Sequence, residues 1–334
     1  MRFPLRVVVT AVCAFPAMLT AQFSTSTPPA CGKYVLATLA DGSFACERYA
    51  VFPWFAAGGD GWTTQVSMFT APVAPVNGQP RGVQFQIGLG PGASVAAVYG
   101  GLAGSYGVFN FVQPPVLTGS SARLDILSAA VCGSRGCAQT GDLADGPLWV
   151  QLDAPDVQTL EAANLQLIFL FADSTGKYNT QMAVPPVFND QTSAVWMSSF
   201  SETPVDRKAA AINSNDSSFA VTNLSVQAQS VSVSLYDRAG NLIAQKNTPL
   251  LAAGTQNGAQ VIPGGVYGID FGSFFGLTSS ASASLTGTID GTVEFVSSTG
   301  LPIAPLVVRL AGNSISTFQV APISIQAAII PPVE

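Results

Sequence analysis

Apolar and polar residues alternate with a period of two along much of the chain, which is the pattern of β-strands with one buried face. Clear alternating runs occupy residues 83–89, 148–153 and 231–236. The run Leu165–Phe171 (LQLIFLF) is almost continuously apolar, as is typical of a central strand buried on both faces. The hydrophobic pattern therefore predicts an all-β fold.

Turn-forming residues separate these runs, because Gly and Asn adopt the positive φ that tight hairpins need. Turns are predicted at Asp41-Gly42, Asn77-Gly78, Asp173–Gly176, Asp237–Asn241 and Thr299-Gly300. Helical signal is confined to two short segments, one capped by Asp156 and reaching Ala163, the other at Phe271–Phe275. Many short strands between such turns predict antiparallel β-sandwiches of Ig-like form.

The length of the chain, 334 residues, favours two domains in tandem. The polar segment 197–206 contains Pro204 and interrupts the apolar pattern, so it is the best boundary. We therefore expect a leader at 1–21, an N-terminal sandwich at 31–196, a C-terminal sandwich at 198–323 and a tail at 324–334.

The first residues have the order of a secretory signal peptide. Arg2 and Arg6 precede the mainly apolar segment 7–20, and Ala21 offers a small residue for cleavage. The apolar segment is shorter than the roughly 20 residues of a membrane-spanning helix, and no later segment is long enough for one. The sequence predicts a chain that is secreted, periplasmic or at the cell surface.

The charge balance limits the classes of partner that we expect, since 19 acidic residues outnumber 13 basic ones. An acidic chain without basic runs is a poor match for nucleic acid, which requires clustered Lys and Arg. We expect no nucleic-acid partner. A surface glycan or another exported protein is the expected kind of partner.

Four cysteines remain after the predicted leader: Cys31, Cys46, Cys132 and Cys137. An even number in an exported chain predicts two disulfides. Three pairings are possible, and we expect the local one, Cys31–Cys46 with Cys132–Cys137. A zinc site is disfavoured because the chain contains no His, and no cofactor is expected.

The segment Val51–Thr64 (VFPWFAAGGDGWTT) resembles the FPxFAxGGGW opening of uncharacterised secreted tandem β-sandwich proteins from environmental bacteria. The segment Leu306–Asn313 (LVVRLAGN) is similar to their LALRxNG closing segment, and 231–243 and 285–288 resemble two of their strands. The resemblance implies export and a tandem sandwich architecture. It implies no activity.

The absence of His also limits catalysis, because it excludes Ser-His-Asp and Cys-His mechanisms as they are normally built. The leading hypothesis is therefore a non-enzymatic exported protein for surface interaction, adhesion or matrix structure.

Aromatic residues support an alternative, a carbohydrate-binding protein. Trp54 and Trp62 flank a Gly-rich turn that contains Asp60, and Trp149 lies in a later strand. Flat rings can stack on sugars while a carboxylate accepts hydroxyl hydrogen bonds. The same rings can instead plug one end of a sandwich core, since aromatic side chains dominate such cores.

Paired carboxylates support a second alternative, a hydrolase with two acids. The candidate pairs are Asp142 with Asp145 and Asp153 with Asp156, all in loops rich in Gly or Pro. Asp142 and Asp145 are also a weak candidate for calcium, which binds clustered oxygens.

Overall fold

A computed structural model describes residues 22–58, 62–89, 94–95, 110–112, 115–125, 143–172, 178–204, 215–257, 260–278, 288–311 and 314–323. Strands make up most of this part of the chain, which confirms the all-β prediction. Two short helices, α1 (Val157–Glu161) and α2 (Phe271–Phe275), lie at the two predicted helical segments. Asp156 and Asp270 cap them by accepting hydrogen bonds from the backbone N–H groups of Thr159 and Ser273.

The first twelve strands form one antiparallel sheet. They are β1 (Val35–Thr38), β2 (Phe44–Gly58), β3 (Trp62–Thr70), β4 (Gly82–Leu89), β5 (Ser94–Val95), β6 (Asn110–Val112), β7 (Val116–Leu117), β8 (Ser121–Asp125), β9 (Leu143–Ala154), β10 (Ala163–Ala172), β11 (Tyr178–Val184) and β12 (Val187–Phe188). The main path runs β11-β10-β3-β2-β9-β4-β6, and the other five strands pair along its flanks.

This sheet folds over on itself at the hairpin between β2 and β3. Gly58 and Trp62 are the pair that joins the two strands, after which β2 follows β9 while β3 follows β10 and β8. The two halves therefore face each other as a sandwich. Side chains from both halves, among them Phe52, Phe85, Met68 and Leu167, form the first core.

The remaining strands form the second group. They are β13 (Val195–Glu202), β14 (Asn215–Asn223), β15 (Val231–Asp237), β16 (Leu242–Asn247), β17 (Thr255–Asn257), β18 (Gln260–Ile262), β19 (Val266–Asp270), β20 (Ile289–Ser297), β21 (Ile303–Ala311), β22 (Ser314–Phe318) and β23 (Ala321–Pro322). A five-stranded sheet, β16-β15-β20-β13-β23, faces a four-stranded sheet, β19-β14-β21-β22, across the second core. Strands β17 and β18 form a separate hairpin.

The four-stranded sheet is a middle layer with two apolar faces. Phe219 and Val307 point into the second core, whereas Leu306 on the opposite face belongs to the first core. A side-chain hydrogen bond joins this sheet to the first sheet: Thr222 Oγ1 on β14 donates to the Pro53 carbonyl on β2 over 2.8 Å. The two strand groups thus pack directly on each other. Their division into two domains stays a prediction, and β13 begins before the polar segment 197–206 proposed as the boundary.

Several predicted turns have the expected backbone. Asn77 and Gly78 have φ angles of 51° and 74°, which is the geometry that the Asn-Gly pair was expected to adopt. At the β15–β16 hairpin, Asp237 Oδ1 accepts hydrogen bonds from the Ala239 and Asn241 backbone N–H groups. The turn predicted at 173–176 lies outside the described residues.

Cys31 and Cys46 form a disulfide with a Cα–Cα distance of 5.3 Å, as the local pairing predicted. Cys46 is completely buried in β2, so the bond ties the N-terminal segment to the first core. The second predicted pair, Cys132 and Cys137, lies outside the described residues, as do the leader at 1–21 and the tail at 324–334.

Candidate functional site

The four residues proposed as a sugar site lie in different surroundings. Trp54, next to a bulge in β2, is half-buried, whereas Trp149 in β9 is only 2% exposed. The Trp149 ring packs over Gly88, where a Cβ would lie 2.3 Å from the indole. Its face is therefore not open to a ligand from solvent. Asp60 and the side chain of Trp62 lie outside what the structure describes.

Trp54 lines a pocket of about 380 Å³ between the two strand groups, hereafter the Trp54 pocket. The first group contributes Trp54, Ala56, Phe169 and Met182, and the second group contributes Ser218, Phe219, Ala220, Gly268, Ile269, Asp270, Leu306, Val308 and Leu310. Most of these side chains are apolar, so the pocket favours an apolar occupant.

Strand alternation explains why the pocket exists. On β14, Phe219 points into the second core, so Ser218 and Ala220 point the other way, towards Trp54. These two side chains are short and leave open space between the sheets. Gly268 on neighbouring β19 lets the Trp54 ring approach that strand closely, because a Cβ there would lie 2.9 Å from Cζ3 of Trp54. The pocket thus results from small residues opposite a large ring.

The polar groups at the Trp54 pocket are few. Asp270 is held as the cap of α2, where Oδ1 accepts from the Ser273 N–H over 2.7 Å. Ser218 contributes a hydroxyl from the middle of β14. The hydrogen bond from Thr222 to the Pro53 carbonyl fixes the strand that carries Trp54 against β14. The pocket therefore has a firmly held apolar wall and a hydroxyl that can orient a ligand.

A second space of about 210 Å³, the Trp149 pocket, lies beside the Trp149 ring. Tyr49, Val51 and Trp149 from the first sheet meet Leu224 and Ile262 from the second group there. The Trp149 Nε1 atom is buried and has no hydrogen-bond partner among the described residues. Because this pocket is small and largely enclosed by packed side chains, we treat it as part of the contact between the strand groups.

Of the two predicted acid pairs, only Asp153 with Asp156 has both side chains among the described residues, and these two make different contacts. Asp156 caps α1 and forms an ion pair with Arg81 at 3.0 Å, while Asp153 is buried in β9. Asp142 and the side chain of Asp145 lie outside the described part of the chain, so the calcium prediction is not tested. Among described residues, no group of three or more acidic or cysteine side chains is placed to hold a metal ion.

Asp153 instead lies opposite Glu47, a residue that the sequence did not single out. The two are register partners on β9 and β2. Gln151 Nε2 donates to Glu47 Oε2 over 2.8 Å and to both Asp153 oxygens over 3.1 Å. The Gln151 Oε1 atom in turn accepts from the Tyr49 hydroxyl over 2.8 Å. We call Glu47 and Asp153 the carboxylate pair.

Burial and the nearby Asp153 carboxylate raise the pKa of Glu47 to about 7. Burial raises the pKa of Asp153 to about 6, against the hydrogen bond from Gln151, which lowers it. Neither acid lines the Trp54 pocket or the Trp149 pocket. The pair can hold a proton near neutral pH, but it faces neither space in which a substrate could meet it.

The raised pKa values predict that neutralising the pair stabilises the protein above neutral pH. The folded state holds these protons more tightly than the unfolded chain does. This favourable contribution is complete below about pH 4 and is lost as the pH rises through 6 to 7. We expect Asp153→Asn to be more stable than the parent by about 1–2 kcal/mol at pH 8, and the difference to vanish near pH 4.

Urea unfolding of the parent and Asp153→Asn at both pH values measures this effect. Asp156→Asn is a suitable comparison, because Asp156 is ion-paired and should lose stability at pH 8 when neutralised. A loss of stability in Asp153→Asn at pH 8 would show that the buried carboxylate is favourably paired and would contradict the prediction.

Comparison with known proteins places the chain in no family. No family model, no curated protein and no solved structure matches it. Among the described helices, none is both long and apolar enough to cross a membrane. Among the described residues, the Trp54 pocket is the space best suited to hold a small apolar molecule.

Proposed function

We propose that this chain is an exported, non-enzymatic binding protein that holds a small apolar ligand in the Trp54 pocket. The observation that carries the proposal is the apolar space of about 380 Å³ between the two strand groups, lined by a half-buried tryptophan. Ligand sites in proteins commonly occupy roughly 300–1,000 Å³, lie between structural units and combine apolar walls with a few polar groups.

The walls indicate the chemistry of the ligand. Trp54 and Phe169 offer ring surfaces, and Met182 adapts its flexible thioether to an irregular shape. Ser218 supplies a hydroxyl that can donate to or accept from one polar group. A flat apolar molecule with a single hydroxyl or carbonyl group matches these walls better than a sugar does, because sugars present many hydroxyls.

Export is part of the proposal. The Cys31–Cys46 disulfide supports it, because such bonds persist in oxidising compartments. The signal peptide that the sequence predicts at 1–21 also supports export. Recovery of a chain lacking that segment from the culture medium or periplasm tests export. A role in adhesion or matrix structure and membership of the tandem sandwich family stay hypotheses from the sequence.

A fluorescent probe tests the pocket directly. N-phenyl-1-naphthylamine is neutral and apolar, and its emission rises when it leaves water. We expect the parent to bind one equivalent of probe. We expect Ser218→Leu to weaken binding at least ten-fold, because the larger side chain fills the space opposite Trp54. Titration of probe into the full chain measures both affinities.

Gln166→Leu is the matched control. It places the same apolar side chain at an exposed position of β10, away from the pocket, so it should bind the probe as the parent does. Thermal melts of both variants check that the fold is kept. Absence of probe binding by the parent, or equal binding by Ser218→Leu, would refute the assignment of the pocket.

A further inference from the structure

A groove of about 680 Å³, away from the Trp54 pocket, covers the outer face of the five-stranded sheet and extends to Arg309 and Phe318 of the four-stranded sheet. Tyr236, Thr292 and Ser199 form its central row, since Thr292 on β20 is the register partner of Tyr236 on β15 and of Ser199 on β13. Register partners point to the same face of a sheet, so the three hydroxyl side chains lie side by side across three strands. We call this surface the sheet groove.

Charged side chains flank the central row with both signs present. Glu294, two residues after Thr292 on β20, accepts a hydrogen bond from the Tyr236 hydroxyl over 3.1 Å. Asp290, two residues before Thr292, forms an ion pair with Arg238 at 2.7 Å. Each carboxylate has a partner yet keeps further lone pairs, and the guanidinium keeps further N–H groups. These planar groups are therefore partnered within the protein while still able to bond a ligand.

The balance of charge indicates which ligand fits. Three carboxylates, those of Asp237, Asp290 and Glu294, line the groove with the guanidinium groups of Arg238 and Arg309, so both signs are present and nearly balanced. An anionic ligand would meet the carboxylates, and a cationic ligand would meet the arginines. A hydroxyl group, which both donates and accepts, can bond to every one of these side chains.

Apolar surface completes the site. Met197 and Phe318 line the sheet groove together with the Tyr236 ring. Sugars present C–H faces as well as hydroxyls, so they need both kinds of surface. We propose that the sheet groove binds a neutral oligosaccharide, with Tyr236, Thr292 and Glu294 as contact residues. This site involves none of the tryptophans first considered for sugar binding and does not depend on the Trp54 pocket.

A glycan array that holds neutral and charged oligosaccharides tests the proposal with the full chain, followed by calorimetry on the neutral glycan that binds best. We expect the parent to bind neutral oligosaccharides, and Thr292→Arg to weaken that binding at least ten-fold by placing a long side chain in the central row. Tyr236→Phe should weaken it by a smaller factor, through loss of the hydroxyl alone.

Ser232→Arg is the matched control, because Ser232 also lies on the outer face of β15 but outside the groove. It should bind as the parent does, and so should the pocket variant Ser218→Leu. Binding of charged glycans only, undiminished neutral-glycan binding by Thr292→Arg, or no binding to any neutral glycan would each overturn the proposal. The probe titration with Ser218→Leu reports on the Trp54 pocket separately.

Discussion

Phe219→Ala should destabilise the protein by about 3–5 kcal/mol, the usual loss when a buried phenylalanine is cut back to alanine. Phe219 is 2% exposed and lies at the centre of an aromatic cluster. Its ring centroid is 5.2 Å from those of Phe271 and Phe274 and 5.6 Å from that of Phe295. The substitution would leave a cavity bordered by rigid rings, which cannot close easily.

The position of Phe219 in the sheet also places it next to the Trp54 pocket. It belongs to β14 in the middle layer, between the second core and the Trp54 pocket, and its own atoms line that pocket. A cavity left by the ring would lie on the second-core face, with the backbone of β14 between it and the pocket. Urea unfolding gives the loss of free energy, and the probe titration shows whether the pocket changes as well.

Phe69→Ala is the control, because Phe69 also belongs to a strand, near the end of β3, but is 40% exposed. It should cost about 1 kcal/mol or less, as surface substitutions usually do. Phe219→Leu should fall between the two, since leucine refills part of the space. Equal losses in Phe219→Ala and Phe69→Ala would show that the aromatic cluster is not the main support of the second core.

Local features of the fold follow well from the sequence. The alternating runs at 83–89 and 231–236 lie in β4 and β15, and the nearly continuous run at 165–171 lies in β10. Asp156 caps a helix, as its position before an apolar turn indicated. Each of these features depends on residues close together in sequence, where side-chain period and turn chemistry decide the outcome.

Contacts between distant strands could not be predicted in the same way. Glu47 and Asp153 meet because β2 pairs with β9 in one particular register, and nothing local to either strand specifies that partner. The burial of Trp149 likewise depends on Leu224 and Ile262, which come from the second group. The sugar hypothesis assigned Trp149 an exposed face because its neighbours across the sheets were unknown.

One signal of the middle layer was nevertheless present in the sequence. Strand β21, IAPLVVRLA, is apolar at consecutive positions, as expected for a strand covered on both faces. Its even-numbered residues Leu306 and Val308 pack towards the first core, while Val307 packs in the second. Such a pattern is typical of a sheet between two layers, although it does not show that small residues opposite Trp54 leave a pocket.

The Cys31→Ala/Cys46→Ala double variant should lose about 3 kcal/mol of unfolding free energy, the value that the chain-entropy model gives for closing a loop of about 15 residues. The bond constrains the unfolded chain, and Cys46, which is fully buried in the first core, also loses a packed sulfur atom. Changing both cysteines avoids an unpaired thiol. Urea unfolding of parent and variant, both without reductant, measures the difference.

Unfolding with and without reductant distinguishes the contribution of the Cys31–Cys46 bond to stability from that of Cys132 and Cys137. The parent should unfold at lower urea when reductant is present, because the Cys31–Cys46 bond is then lost from the unfolded state. The double variant should respond only as far as Cys132 and Cys137 contribute, so the difference between the two responses belongs to Cys31–Cys46. If the parent and the double variant unfolded at the same urea concentration without reductant, the bond would add nothing to the stability of the first core. Its value to the protein would then lie in holding the N-terminal segment against the sheet.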